Sequence, residues 1–374
     1  MKPKEKDGAA KLREGKDTAS QWRLIAWKFG KHRLAVASLY VIAFMYTVAL
    51  FADFLSPYAP LKMSKDFRFM PPTAIHLFDS SGKFHGPFVY GVKQSMDMNS
   101  LAVTYQDDAS RIYPIRFFVK GYGYRLFGII KSDMHLFGVE DGQSMIALFG
   151  TDYLGGDRFS RVLVGSQVSL TIGLVGIAIS FFFGILFGGI SGYFGGIPDL
   201  VIQRIIEFIR SVPTIPLWMA MSAAIPSNVS ITQRYFLIVV ILSLIGWTGL
   251  ARVVRGKFLA LREEDFVAAA RLDGAGYMRI IFRYLLPSFW SHIIANVSLS
   301  IPGMILGETA LSFLDLGMRD PAISWGILLK EAQSLAAIAT GWPLVPAVAV
   351  ILVVLAFSFV GDGLRDAADP YQVS

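Results

Sequence analysis

Six stretches of the chain run for about 20 residues almost free of charge, the length an α-helix needs to cross the hydrocarbon of a bilayer. The first is Leu34 to Leu55, uncharged until Asp53. The second lies in the uncharged run from Val162 to Pro198, which is too long for one span. It predicts a helix near Ser166–Tyr193 and a turn at Gly195, Gly196, Ile197 and Pro198. The third runs from Leu200 to about Ala224, with Arg204, Glu207 and Arg210 in its first turns and kinks at Pro213 and Pro216. The fourth covers Tyr235 to about Ala251, the fifth Pro287 to Leu311, and the sixth Pro343 to Val360.

Residues 56–162 follow another pattern. Turn signals at Ser80-Ser81-Gly82 and Gly121-Tyr122-Gly123 bracket short aromatic runs, 88–90 and 115–119, which predict strands of a small β-rich unit. His76, Asp79 and His85 lie close together there and invite a metal-site reading. Polar residues near a hairpin are far commoner, and no metal is assigned.

Composition agrees with the membrane reading. Hydrophobic residues make up 54% of the 374 residues and charged residues only 17%, against about 25% in soluble domains. The net charge of +7 raises the prospect of nucleic-acid binding, but its placement argues otherwise. Ten of the 35 Lys and Arg precede residue 34, and seven more lie between Arg252 and Arg283. Both clusters abut apolar segments, as the positive-inside bias predicts. Both termini are then cytoplasmic, and 56–162, 225–234 and 312–342 are external. The stretch 56–162 holds 12 Lys and Arg, but long loops cross largely regardless of charge. The chain has no Cys, which excludes disulfides and thiolate chemistry. The N-terminus lacks the form of a cleavable signal, so the first span is expected to stay as an anchor.

The polar loop between spans four and five is the most informative segment. Glu263, Glu264 and Asp265 stand where a helix N-terminus favours negative charge. Phe266, Ala268, Ala269, Ala270 and Arg271 continue a short helix. Asp273, Gly274 and Ala275 end it, with Gly274 in the left-handed position glycine tolerates best. A second helix begins at Tyr277. The loop is thus either an ordinary connection or a rigid lever for a partner. In span two, Gly184, Gly188 and Gly192 share one helix face and predict close helix packing, within the chain or with a partner. No phosphate-binding Gly-x-x-x-x-Gly-Lys-Ser/Thr loop occurs. Glu308, near the outer end of span five, is the main intramembrane carboxylate and a candidate for a gate or pathway. It keeps an ion- or proton-coupled carrier open as an alternative function. A membrane enzyme finds no catalytic constellation in 61–148.

The segments 265–275 (DFVAAARLDGA) and 279–287 (RIIFRYLLP) resemble the EAA loop of ABC importer permeases. The runs 149–161 (FGTDYLGGDRFSR), 192–196 (GYFGG), 246–256 (GWTGLARVVRG), 308–314 (ETALSFL), 324–326 (SWG) and 361–370 (GDGLRDAADP) resemble the dipeptide/oligopeptide branch, as do 33–35 and 55–60. The long stretch 61–148, with 75–79 (IHLFD) and 86–91 (GPFVYG), is similar to the long-insertion microcin C/oligopeptide subgroup. Two departures stand out: Ala268 occupies the position of the family's EAA glutamate, leaving Glu264 or Asp265 as replacements, and Asp273 stands where an apolar residue is usual.

The resemblance implies an all-α integral membrane protein of six transmembrane helices, the type I ABC importer permease fold, with a small β-rich external insertion. Its expected parts are a basic cytoplasmic N-terminus (1–33), a first span (34–56) and the insertion (57–160). A five-helix core (161–363) follows, with a coupling loop at 252–286, and then a cytoplasmic tail (364–374). The implied role is a non-catalytic permease of a peptide importer in the bacterial inner membrane. Its implied partners are a second homologous permease, two ATPase subunits that use ATP and Mg, an external peptide-binding protein and the lipid bilayer. No cofactor, metal or nucleic acid is implied for the chain itself.

Overall fold

The computed structural model describes residues 21–96, 103–139, 144–333 and 344–368. The basic stretch before residue 21, Pro343 and the end of the C-terminal tail lie outside them. Among the described residues, five helices are long and apolar enough to cross a membrane.

The helix α1, Gln21–Lys31, leads through His32, whose ring accepts the Ala35 amide at 3.1 Å, into α2, Arg33–Leu50, and a short turn of helix, α3, Ala52–Leu55. After the insertion comes α4, Arg158–Phe194, 37 residues long. It starts well before the expected Ser166. Asp157 caps it by accepting the Ser160 amide and hydroxyl at 2.9 and 2.6 Å. It ends where expected, at Gly195, whose φ of +66° suits glycine.

The expected third span is not one kinked helix. It forms α5, Gly196–Ser211, and α6, Thr214–Ala223. Val212 between them is extended (φ −92°, ψ 134°), the conformation that a following proline imposes, so Pro213 breaks the helix rather than bending it. The fourth span, α7, Ile231–Leu261, is a turn or more longer at each end than expected. Ser230 and Gln233 form a reciprocal capping box at its start. The loop helix α8, Asp265–Leu272, leads to a turn at Tyr277–Arg279 and a π-helix at Ile280–Leu285, and then to α9, Trp290–Phe313. A short helix, α10, Trp325–Glu331, and α11, Leu344–Ala368, complete the bundle.

The long helices pack in series: α2 against α11, α11 against α9, α9 against α4, and α4 along α7. One core joins Ile42, Leu170, Ile305, Trp325 and Val353, and a second joins Ile172, Leu242 and Met304. The outward faces keep Tyr40, Phe44, Phe182, Val240 and Ile351 exposed, as a bilayer or partner helices allow.

The insertion contains the expected strands. β1, His76–Phe78, β2, Phe84–Met96, and β3, Val103–Pro114, form an antiparallel sheet in that order; β4, Arg116–Leu126, and β5, Ile130–Gly138, form a separate two-stranded ribbon. Ser80-Ser81-Gly82 is a turn, held by Asp79 Oδ1 accepting the Ser81 and Lys83 amides at 2.8 and 2.9 Å. Gly121-Tyr122-Gly123 is not a turn. It is an irregularity within β4, where the register with β5 shifts. A Cβ on Gly121 would come within 2.5 Å of the His135 ring, so the glycine makes room for that ring. His135 in turn contacts the carbonyls of Asp53 and Tyr122, each at 3.0 Å, and so ties the ribbon to α3.

Candidate functional site

The helix α8 is amphipathic over eight residues. Val267 and Ala270 are buried against Phe258, Ile280 and Leu285 in a core shared by α7, the π-helix and α9. Gly274, at φ +76°, ends the helix. Its amide donates to the Arg271 carbonyl (3.0 Å) and that of Ala275 to the Ala270 carbonyl (2.9 Å), the paired bonds of a Schellman stop. Ala275 packs back on the same core. The loop is therefore a rigid knob seated on the bundle.

Its other face is open. Glu263, Glu264, Asp265, Phe266, Ala268, Ala269, Arg271, Asp273 and Gly274 are exposed, with Leu272 at 89% and Tyr277 and Met278 beyond it. Glu264 stands at the N-cap position without a side-chain bond to the helix. Glu263 pairs with Arg262 at 2.9 Å. Ala268 lies three and four residues after Asp265 and Glu264, so both carboxylates share its side of the knob.

Two arginines tie the end of α7 that carries the knob to its neighbours. Arg262 Nη1 donates to the carbonyls of Gly192 and Tyr193 at 3.3 and 3.5 Å. Arg255 clasps Asp199 with two bonds, 2.5 and 2.6 Å, and Asp199 also accepts the Ser191 hydroxyl. Gly188 and Gly192 lie directly on α7: a Cβ on Gly188 would sit 2.5 Å from the Ala251 carbonyl oxygen, and one on Gly192 2.6 Å from Phe258. Gly184 meets Leu250 in the same way. The glycine face thus joins two helices of this chain.

Glu308 is fully buried near the opposite end of α4. Its carboxylate accepts the hydroxyls of Ser169 (3.2 Å) and Ser312 (2.7 Å). Ser169 Oγ accepts the Trp325 amide at 3.1 Å and Ser312 Oγ that of Met318 at 2.9 Å. Gly326 is held so close to Thr309 and Ser312 that a Cβ there would overlap both. The segments 308–314 and 324–326 are therefore one packed unit, with Glu308 bonded to α4 and, through the two serines, to the loop and to α10.

Beside it lies a buried ionic cluster that the sequence did not reveal. Arg161 bonds Asp152 and, bidentately, Glu331 at 2.6 and 2.7 Å. The one available signal was isolated charge beside apolar runs. Burial pushes the Glu331 carboxyl above its usual range against the pull of Arg161. Asp157, wholly enclosed, is likewise raised to about 6 by desolvation, with the Ser160 bonds opposing the shift.

In the insertion, Asp79 contacts His85 at 2.9 Å, while His76 packs between the rings of Phe88 and Tyr90. Among the described residues no group of three His, Asp or Glu is placed to hold a metal ion. The quoted motifs thus gather at two ends of the bundle: 149–161, 308–314 and 324–326 at the insertion end, and 192–196, 246–256 and 265–275 at the loop end.

Two family models match parts of this chain. Residues 20–72 match the N-terminal TM domain of oligopeptide transport permease C. The oligopeptide transport system permease protein OppC of Haemophilus influenzae is 38% identical over 59% of this chain and 70% of its own length. The dipeptide permease DppC of Bacillus subtilis is 28% identical over 94% of this chain and 85% of its own. The glutathione permease GsiD of Pectobacterium atrosepticum is 36% identical over 62% and 75%. A solved chain of the inward-facing MetNI methionine ABC transporter aligns with 55% of this chain and 95% of its own, at 17% identity and a TM-score of 0.45. Residues 184–372, carrying the knob, the two arginines and the Glu308 unit, match the family model described as the binding-protein-dependent transport system inner membrane component, and the chain belongs to that family.

Proposed function

We infer that this chain is one permease of an ATP-driven importer of peptides or peptide-like compounds, forming half of the translocation path. The observation that carries the reading is the knob: α8 buries Val267 and Ala270 in the bundle while presenting Phe266, Leu272, Tyr277 and Met278 outward. A rigid projection with an uncovered apolar tip suits a partner that pushes on it. The partners are two ATPase subunits, which bind the ATP and Mg this chain has no phosphate loop to hold. A second homologous permease and an external peptide-binding protein complete the assembly. Peptide cargo is supported by the names of the oligopeptide, dipeptide and glutathione relatives.

The knob end and both termini face the cytoplasm of the inner membrane in this reading, as the basic residues of 252–283 favour. Nucleotide binding closes the ATPases, α8 moves with them, and the bundle changes which side it opens to. Glu264 and Asp265, on the side of Ala268, supply the negative charge that the alanine lacks. Glu308 serves as a positioning residue that fixes α10 and the 312–324 loop to α4.

The test is co-purification from membranes expressing the whole transporter, with labelled-peptide uptake. Replacing 262–276 by a Gly/Ser linker is expected to abolish ATPase association and uptake. Retention of both would remove the lever role.

A further inference from the structure

The β4–β5 ribbon carries an exposed apolar surface outside both the knob and the Glu308 unit. It forms no part of the β1–β2–β3 sheet, and a two-stranded ribbon alone is marginal in water. Yet it exposes Phe117, Phe118, Ile130 and Met134, with Ile129 in its loop at 82% exposure. The loop connecting the strands is Phe127-Gly128-Ile129. Phe127 adopts a left-handed φ of 57°, a conformation that asparagine or glycine accepts far more readily. What the phenylalanine gains there is placement: its ring meets that of Phe51 edge-on, 5.5 Å between centroids. Phe51 directly follows α2, one of the membrane-crossing helices. The tip of the ribbon is therefore held at the level where a span leaves the hydrocarbon.

The same ribbon is basic, with Arg116, Lys120, Arg125 and Lys131 against Asp133. Arg125 and Lys131 are direct cross-strand partners, and like charges placed opposite one another destabilise a ladder. Among the described residues, no carboxylate forms an ion pair with either. They line a shallow depression with Gly123, Tyr124, Ser132 and Asp133, an arrangement that an anion between the two cations would stabilise.

We propose that the β4–β5 ribbon is a membrane-surface anchor: Phe127, Ile129 and Ile130 enter the bilayer interface beside α2, and Arg125 and Lys131 hold the phosphate of an anionic lipid headgroup. Apolar tips flanked by basic residues bind interfaces by this combination of area and charge. The inference rests on α2 crossing the bilayer and not on the cargo.

The absence of cysteine from the chain makes a direct test available. Ile129→Cys and, as a control in the β1–β2 turn, Ser81→Cys are labelled with a fluorophore in the full chain. The labelled chains are placed in nanodiscs of phosphatidylcholine with or without one part in three phosphatidylglycerol. The label at 129 is expected to be quenched by nitroxide-bearing lipid and shielded from aqueous iodide, and the label at 81 the reverse. Removing phosphatidylglycerol, or adding Arg125→Gln with Lys131→Gln, should shift the partition of the tip toward water, by about fivefold for each basic residue neutralised. Iodide access at 129 equal to that at 81 would overturn the anchor, as would shielding that appears only when a peptide-binding protein is added. Insertion indifferent to phosphatidylglycerol would overturn the roles given to Arg125 and Lys131.

Discussion

Ser169 on α4 donates its hydroxyl to the carboxylate of Glu308 on α9 at 3.2 Å, and the same serine oxygen receives the backbone amide of Trp325. One side chain thus joins two long helices to the start of α10. Glu308→Ala would leave the Ser169 and Ser312 hydroxyls without their acceptor in the interior, at about 1–3 kcal/mol for each stranded group. Glu308→Gln keeps an acceptor and should cost less. Thermal unfolding in mild detergent should rank the parent above Gln and Gln above Ala; equal melting of all three would show the network to be idle.

The α4–α7 contact makes a steric prediction. Gly188→Ala pushes a methyl against the Ala251 backbone, which cannot rotate away, and should destabilise by about 1–3 kcal/mol. Gly256→Ala, on α7 with open space around it, should stabilise by up to about 1 kcal/mol through helix propensity alone. Detergent melting of the two variants with the parent decides the matter; two shifts of the same sign would contradict the close approach.

Leu272 tests the knob without disturbing its seat. It contributes almost nothing to the core at 89% exposure, so Leu272→Ser should leave melting unchanged. If an ATPase covers it, losing a buried leucine weakens association by about 1.5–3 kcal/mol, or more than tenfold. Titration of the purified ATPase onto the reconstituted permease measures this. Unchanged affinity would move the docking surface elsewhere.

Asp157 gives a pH dependence. Burial raises its carboxyl to about 6, so the folded chain holds the proton more tightly than the unfolded chain does. Its contribution is fully present below about pH 4 and is lost as the pH rises through 6, on the order of 2–3 kcal/mol in all. Asp157→Asn keeps a cap acceptor and removes the titration. The difference in stability between parent and variant should therefore change between pH 4 and 7 and be flat above it. A pH-independent difference would refute the shift.

The sequence makes five of the spans legible because a helix crossing hydrocarbon excludes charge over about 20 central residues, a signal that survives without any neighbour. Gly274 and the 184–188–192 face are legible for a related reason: each follows from glycine's missing Cβ. What escapes depends on distant partners. Pro213 reads equally well as a kink or a break until Val212 is seen to be extended. Gly121 and Gly123 look like a turn because the His135 ring that explains Gly121 lies 14 residues on. Arg161 and Glu331 are separated by 170 residues, and no local pattern announces their pairing. Ala268 marks the loop as a departure, and only the helix geometry puts Glu264 and Asp265 on the same side of it.

At 37 residues, α4 measures roughly 55 Å, nearly twice the hydrocarbon thickness. A rod of that length, packed along α7 on one flank and against α9 on another, reaches from the Glu308 unit at Ser169 to the Arg262 contact at Gly192. Tilting it by about 10° around its middle would swing its two ends roughly 5 Å in opposite senses, about one helical pitch. Opening at one membrane face and closing at the other would then be a single rotation.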